Sequence, residues 1–255
     1  MLKRMAALAA LFCVVGLLCL PTGAQNNREQ APIFTYVAQW AVPRAQWADV
    51  TKMNEATKPL LDGLVADGTL IGYGTFDNRI HSVEGMTHGS WFQATSLAGI
   101  FNALDKIYAQ PGAVTQPVMA ASKHMDYLMI SNIHGAKTVT NGTGYLRVIS
   151  AQIKPGRELE FVEAYRRYLE PVYAKLLAEG TIVSYQLDTE YNIENAPGRF
   201  FSAVVTPNAE GLDKMRMALD ELFEKNPAAL EALMSASVAN SRNDLIARVS
   251  SITRK

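Results

Sequence analysis

Few residues in this chain could support chemistry, and they do not form an established catalytic motif. The histidines are His81, His88, His124 and His134. His81 and His88 flank one polar connection, where Asp77 and Glu84 could complete a set of nitrogen and oxygen ligands. Because no short-spaced ligand motif is present, a solvated loop without chemical function is the favoured interpretation, and we predict no metal site. If this loop does bind a ligand, His81 and His88 are its candidate residues.

Two tyrosines and a tryptophan complete the candidates for ligand binding. Tyr73 and Tyr185 end two similar stretches, residues 59–73 and 171–185, and lie in predicted strands where a phenol could face a cavity. A buried tyrosine more often belongs to the core and bonds its hydroxyl within the protein. Trp91 lies in another predicted strand. The predicted ligand-binding set is therefore Tyr73, Tyr185, His81, His88 and Trp91, and no catalytic residue is identified.

The stretches that end at these tyrosines indicate an internal repeat. In each, a helical run meets a glycine, Gly68 or Gly180, which can adopt the left-handed conformation at a helix end, and a strand-forming segment follows. A proline, Pro59 or Pro171, falls at the same place in both helical runs, which predicts a kink or two abutting helices. The chain is therefore predicted to contain one structural unit twice.

Each unit is predicted to run strand, helix, strand, strand, helix, strand. Runs of β-branched and aromatic residues predict strands at 34–42, 71–76, 91–94 and 124–131, and again at 145–153, 182–187, 199–205 and 244–249. The predicted boundaries are a first α+β unit over residues 33–132, a polar, glycine-rich linker over 133–144 and a second α+β unit over 145–255.

The N-terminal residues 1–24 have the features of a secretory signal peptide. Lys3 and Arg4 precede an apolar run, and the small residues Thr22 and Ala24 suit cleavage after Ala24. The run is shorter than the about 20 apolar residues of a membrane span, so cleavage is favoured over a permanent anchor. The mature protein would then begin with a polar leader, residues 25–32, and would be secreted or periplasmic.

Composition narrows the possible partners and cofactors. Both cysteines, Cys13 and Cys19, would leave with the signal peptide, so no disulfide or thiolate metal site is expected. The 24 basic and 24 acidic residues balance and form no basic run, which argues against nucleic-acid binding. No later apolar stretch approaches the length of a membrane span. We expect no membrane partner after cleavage.

The order of elements, the glycine before the second strand and the paired copy resemble the dimeric α+β barrel superfamily, which includes antibiotic-biosynthesis-monooxygenase-like and EthD-like families. The resemblance covers nearly all of the mature chain. It implies two tandem ferredoxin-like βαββαβ units that pack sheet to sheet as an intramolecular pseudo-dimeric α+β barrel. A sheet that is apolar on both faces needs helices on one side and a second layer on the other, which agrees with this arrangement.

The superfamily includes haem-degrading oxygenases, cofactor-free oxygenases, haem peroxidases and small-molecule binders, so fold does not select the function. The haem-degrading branch typically holds iron with a histidine on the second helix, and neither predicted second helix here has one; we expect no cofactor. One hypothesis is an exported protein that binds a small apolar or aromatic molecule in or beside the barrel. The alternative is a cofactor-free monooxygenase-like enzyme acting on a small organic substrate. The chain could be a monomeric pseudo-dimer or associate further as a homo-oligomer.

Overall fold

The computed structural model describes residues 30–80, 85–110, 116–192 and 198–255. In these residues the strands are β1 (Ile33–Trp40), β2 (Gly72–Asn78), β3 (His88–Ala94), β4 (His124–Ala136), β5 (Val139–Gln152), β6 (Ser184–Glu190), β7 (Arg199–Thr206) and β8 (Asn243–Arg254). The helices are α1 (Trp47–Ala66), α2 (Leu97–Tyr108), the short α3 (Gln116–Met119), α4 (Glu158–Ala164), α5 (Glu170–Glu179), α6 (Ala209–Lys225) and α7 (Pro227–Ala236). A π-helical stretch, Tyr165–Leu169, joins α4 to α5.

The strands form one closed antiparallel barrel in the order β1-β3-β2-β8-β5-β7-β6-β4. The first four strands lie in the order β4-β1-β3-β2, and the last four lie in the equivalent order β8-β5-β7-β6. Two seams join these halves, one between β2 and β8 and one between β4 and β6. The mixed α+β class and the barrel are therefore confirmed, while the division into two tandem units stays a prediction.

Alternation along each strand decides what faces the inside of the barrel. In β1, Thr35 and Val37 line the interior, whereas Tyr36 and Trp40 face the helices outside. This is the separation of faces that the sequence of β1 predicts. Since both faces of the sheet are covered, side chains on both are withdrawn from water.

The helices pack outside the barrel over two separate cores. The first, under α1 and α2, includes Leu64, Leu70 and Ile100. The second, under the helices of the second half, is centred on Tyr165 and Ile182, both fully buried. These cores fix the helices against the outer face of the sheet, so the space between helix and sheet depends on how well each core is filled.

The predicted glycine stops are confirmed. Gly68 and Gly180 have φ values of 83° and 78°, in the left-handed region that favours glycine. After them, Leu70 and Ile182 donate their backbone N–H groups back to the carbonyls of Leu64 and Leu176. Each helix is thereby closed before the chain enters the next strand.

The two prolines behave differently. Pro171 lies in the first turn of α5, directly after the π-helical stretch, which is the predicted irregularity. Pro59 lies inside α1, which is one helix from Trp47 to Ala66, so two abutting helices are not formed there. The shared proline therefore does not produce the same backbone in both halves.

Other sequence-based boundaries are corrected by the structure. The segment 133–144, predicted as a linker, lies almost entirely within β4 and β5, with only Lys137 and Thr138 between them. Glycine and threonine in this segment lower the strand signal, but tertiary pairing with β6 and β8 overrides it. Helix α7 was not predicted, and β8 extends well beyond the predicted 244–249.

The predicted signal peptide lies outside the described residues. Of the predicted leader, residues 30–32 are described: they are exposed and have no regular structure. No helix in the described ranges combines the length and the apolar character needed to cross a membrane.

Candidate functional site

Two cavities lie on opposite faces of the sheet. The outer cleft, of about 570 Å³, lies between α1, α2 and the outer face of the first-half strands, and its lining includes Tyr36, Trp40, Trp47, His88, Tyr108 and His124. The barrel cavity, of about 910 Å³, lies inside the barrel, and its lining includes Thr35, Trp91, Gln93, Arg199, Phe201 and Arg254. Both have the size of ordinary small-molecule sites.

Aromatic rings form much of the wall of the outer cleft. Tyr36 stacks on Phe92 with ring centroids 4.9 Å apart. Trp47 is fixed at the start of α1, where its Nε1–H donates to the Val42 carbonyl at 3.0 Å and Arg44 lies over its ring. Flat, apolar walls of this kind suit an aromatic ligand.

A histidine and an aspartate lie together on this face because β4 alternates. His124 and Asp126 are two residues apart, so both point to the helix side, and the Nε2 atom of His124 is 3.0 Å from Oδ1 of Asp126. The β1–β4 register places Trp40 directly opposite His124, and the two rings stack at 5.5 Å with an angle of 9°. The imidazole is thus oriented from two sides.

The phenol of Tyr36 lies beside the side chains of Asp126 and Tyr108. Burial, the charge of Asp126 and interactions with these two side chains together raise the pKa of Tyr36 far above its ordinary value. The phenol therefore stays protonated next to the Asp126 carboxylate.

Trp40 contributes an unusual polar atom to the cleft. Its Nε1–H is buried and has no hydrogen-bond partner among the residues that the structure describes. A buried donor without a partner costs free energy, and nearly all such groups in proteins are paired. This donor is covered by protein atoms, so a ligand in the outer cleft would satisfy it only if the Trp40 ring turned on binding.

Tyr73 and Tyr185 belong to the cores under the helices. The hydroxyl of Tyr73 donates to Oδ1 of Asp62 on α1 at 2.6 Å, and the ring is 2% exposed. The ring of Tyr185 stacks on Tyr173 at 5.8 Å. Both rings thus pack in the cores under the helices, and Tyr73 also contributes to the lining of both cavities, so a ligand-binding role for these tyrosines stays a prediction.

The predicted histidine loop is only partly described. His81 and Glu84 lie outside the described residues. His88 belongs to β3 rather than to the loop: it is buried in the wall of the outer cleft, where its Nδ1 lies 2.9 Å from the Thr87 hydroxyl and its ring meets Trp47 edge-on. In the described part of the chain, no group of three or more His, Cys, Asp or Glu residues could hold a metal ion.

Trp91 is the predicted residue that lies inside the barrel. It packs on Phe76 and covers Gly74 so closely that a Cβ there would overlap its ring. The described members of the predicted set are therefore spread over the sheet: His88 lies in the outer cleft, Trp91 packs inside the barrel, and the two tyrosines belong to two different cores, with Tyr73 also in the lining of both cavities.

The corresponding region of the second half is filled. Tyr165 and Tyr173 are buried under α4 and α5, and Phe161 packs edge-on against Phe200 at 5.4 Å. The hydroxyl of Tyr165 is 3.0 Å from that of Ser202, so even the polar atom of this core is paired. Of the two cavities described above, the one between helices and sheet is the outer cleft, and it lies in the first half.

Sequence reasoning missed the polar set of the outer cleft. His124 was recognised only as one of the four histidines, and Asp126, Tyr36 and Tyr108 were given no role. The His-x-Asp spacing in a strand was the available signal, because residues i and i+2 share a face. The pairing of β4 with β1, which brings Trp40 and Tyr36 to the same place, has no local signature.

No family model and no curated protein matches the chain. Solved structures do match. A candidate monooxygenase from Lactobacillus acidophilus NCFM aligns with a TM-score of 0.64 at 12% identity, over 88% of this chain and 97% of the other. A candidate monooxygenase from Fusobacterium nucleatum aligns with a TM-score of 0.63 at 13% identity, over 88% and 95%.

An anthrone oxidase-like protein aligns with a TM-score of 0.52 at 11% identity, over 89% of this chain and 94% of the other. At these identities the likeness is one of fold. The chain shares the α+β barrel fold of these solved structures.

Proposed function

We propose that the protein is a monooxygenase-like enzyme that binds a small hydroxylated aromatic molecule in the outer cleft and oxidises it with O₂. The observation that carries the proposal is the His124–Asp126 pair beside the unpartnered Nε1–H of Trp40, within aromatic walls. The candidate monooxygenases and the anthrone oxidase-like protein with the same fold support this chemistry over binding alone.

The cleft offers each group that such a reaction needs. Trp40 and Trp47 would hold the rings of the substrate, and the Nε1–H of Trp40 would donate to a substrate oxygen. The His124 imidazole, whose Nε2 lies 3.0 Å from Oδ1 of Asp126, would take the proton on its Nδ1, since a histidine oriented by a carboxylate is a common general base.

The proposed reaction balances with O₂ as the sole oxidant. His124 removes a proton from an activated CH₂ group, written R₂CH₂, and the resulting carbanion gives two electrons to O₂. With one proton returned, the product is the hydroperoxide R₂CH–OOH. Loss of water from this species cleaves the O–O bond and leaves the carbonyl R₂C=O. No bound cofactor is part of the proposal.

Oxygen uptake with anthrone as the probe would test the proposal. We expect the purified chain to accelerate O₂ consumption and formation of anthraquinone over the uncatalysed rate. His124→Gln and Asp126→Asn should lower kcat by at least about tenfold, since general base catalysis typically contributes 10²–10⁴-fold. His134→Gln is the matched control, because His134 lies on the same strand but bonds to the Ala31 carbonyl outside the cleft.

The same experiment separates catalysis from simple binding. If anthrone quenches tryptophan fluorescence but O₂ uptake stays at the uncatalysed rate, the protein binds small aromatic molecules without oxidising them. If anthrone neither binds nor reacts, the outer cleft is not the site of either function for this class of molecule.

The duplication and the export of the chain are further parts of the proposal. The equivalent strand orders of the two halves and the paired glycine stops support two tandem ferredoxin-like units within one pseudo-dimer. Cleavage after Ala24 and a secreted or periplasmic location rest on the sequence of residues 1–24. An intact-mass measurement on exported protein would test the cleavage site, and a native mass spectrum would distinguish a monomer from a homo-oligomer.

A further inference from the structure

The barrel cavity is a second space, separated from the outer cleft by the sheet and open to solvent. Its middle is apolar and partly aromatic, with Trp91 and Phe76 on one side and Phe201 and Tyr127 on the other. Polar residues, including Gln93, Gln186 and Arg254, gather around one end. An apolar space with a few convergent polar groups is the usual form of a small-molecule site.

Arg254 is the charged residue that distinguishes this end. Its side chain is mostly buried, and desolvation lowers its pKa, although the charge of Asp188 acts in the opposite direction. Its Nη1 donates to Oε1 of Gln93. In the part of the chain that the structure describes, no carboxylate lies within the 4.0 Å of an ion pair with it. Buried charges in proteins are ordinarily paired, so this guanidinium is a candidate for an external anion.

The neighbouring groups explain why Asp188 does not serve as the partner. Both of its oxygens are engaged, one by the Ser131 hydroxyl and the other by Nε2 of Gln186 at 2.6 Å. Gln93 also donates across the barrel to Gln186 at 2.7 Å. This chain of hydrogen bonds orients Arg254 through Gln93, while most of the five N–H donors of its guanidinium stay outside the network.

We propose that the barrel cavity binds an aromatic carboxylate, with the carboxylate on Arg254 and the rings against Trp91 and Phe201. This site is distinct from the outer cleft and does not depend on the proposed function.

A carboxylate fits the cavity better than other anions. The planar fork of an arginine matches a carboxylate with two parallel hydrogen bonds. Asp188 lies near enough to act on Arg254, and its negative field favours a monoanion over a doubly charged phosphate. A volume of about 910 Å³ leaves room for a body of several rings beyond the charged group.

A pair of ligands that differ only in charge tests the proposal. Anthracene-9-carboxylate and the neutral anthracene-9-methanol would be titrated into a Trp40→Phe/Trp47→Phe background. This background leaves Trp91 as the single tryptophan of the three in the chain. Quenching of Trp91 by energy transfer to the anthracene then reports occupancy near this residue. We expect the carboxylate to bind at least about tenfold more tightly than the alcohol.

Two variants locate the charge and the cavity. Arg254→Met should remove the preference for the carboxylate and leave the affinity for the alcohol within about twofold of the parent. Ala203→Phe, which adds bulk inside the barrel cavity without adding a tryptophan, should weaken the binding of both ligands. Equal affinities in the parent, a preference that survives Arg254→Met, or affinities unchanged by Ala203→Phe would overturn the proposal. If Arg254→Met fails to fold, Arg254→Lys is measured instead. A preference for the carboxylate over the alcohol that is as large in Arg254→Lys as in the parent would contradict the proposed pair of parallel hydrogen bonds.

Discussion

The imidazole of His124 and the carboxylate of Asp126 meet at 3.0 Å although both side chains belong to a single strand and are only two residues apart. Such a pair needs no distant element to form it. The barrel adds the surroundings: β1 places Trp40 over the imidazole and Tyr36 beside the carboxylate. The predictions that follow test this cleft, the cores beneath it and the barrel interior.

Replacing Trp40 with phenylalanine should separate ligand binding from stability. Trp40→Phe removes an N–H donor that no described residue accepts, so the free energy of unfolding should change by less than about 1 kcal/mol. Affinity for anthrone should fall about fivefold or more, because the donor to the substrate oxygen is lost. Equilibrium unfolding in urea and fluorescence titration would measure the two effects. A loss of stability with unchanged affinity would show that Trp40 serves the core and not the ligand.

Removal of the Tyr73 hydroxyl should weaken the first-half core. Tyr73→Phe deletes the 2.6 Å hydrogen bond to Asp62 and should lower the free energy of unfolding by about 1–2 kcal/mol at neutral pH. Desolvation raises the pKa of Asp62, but hydrogen bonds from Lys58 and Tyr73 outweigh this and hold it below its ordinary value of 3.8.

The stabilisation from Asp62 is therefore present above pH 3.8 and is lost as the pH falls through the lower folded-state pKa. The penalty of Tyr73→Phe should shrink over the same acid range. Tyr185→Phe is the matched control, since Tyr185 contacts Tyr173 mainly through its ring. It should cost less than Tyr73→Phe in the same urea titration, and an equal cost would refute the role given to the Asp62 bond.

The buried carboxyl of Asp188 should make stability depend on pH between about 4 and 6. Desolvation raises its pKa from 3.8 to about 6, against hydrogen bonds from Ser131 and Gln186 that lower it. Because the folded-state pKa is the higher one, its favourable contribution is complete below pH 3.8 and is lost as the pH rises through 6.

Asp188→Asn removes this titration. The free energy of unfolding of the variant minus that of the parent should therefore increase from pH 4 to pH 7. The increase should be at most about 3 kcal/mol, which corresponds to a shift of about two pKa units. Thermal unfolding at several pH values would measure the difference. A difference that is independent of pH would mean that Asp188 has an ordinary pKa.

Gly63 within α1 and Gly68 just after its end should respond to alanine in opposite directions. Gly63 lies exposed within the helix with open space around it, so Gly63→Ala should stabilise the protein by about 0.5–1 kcal/mol. Gly68 also has open space around it, but its φ is 83°, so Gly68→Ala should destabilise by about 1–2 kcal/mol. Differential scanning calorimetry on both variants would measure the signs. If Gly63→Ala also destabilised the protein, the space around Gly63 would be too tight for a methyl group, contrary to the structure.

The sequence predicted the elements that have local signals. The glycine stops at Gly68 and Gly180, the two faces of β1 and the mixed α+β class were all available from periodicity and turn chemistry. Strand 133–136 and the start of β5 were missed, because their glycine and threonine content resembles a linker and only pairing with β6 and β8 makes them strands.

The candidate site was harder to predict for the same reason. His88 was assigned to a loop and lies in a strand, and the bond of the Tyr73 hydroxyl to Asp62 on α1 was not predicted. The contact of Tyr36 with Asp126 joins residues 90 positions apart across β1 and β4, and no periodicity in either strand reveals which strands will be neighbours.

The two seams of the barrel determine when the fold can be completed. β2 emerges early in synthesis, yet one of its edges bonds to β8, the last strand in the chain order, and β4 likewise waits for β6. Until then the first half presents two unpaired strand edges, which are sites of mispairing between chains. A first half that must wait for β8 would benefit from a holding factor or from delayed folding during synthesis. Shortening β8 should therefore leave the barrel open and promote aggregation.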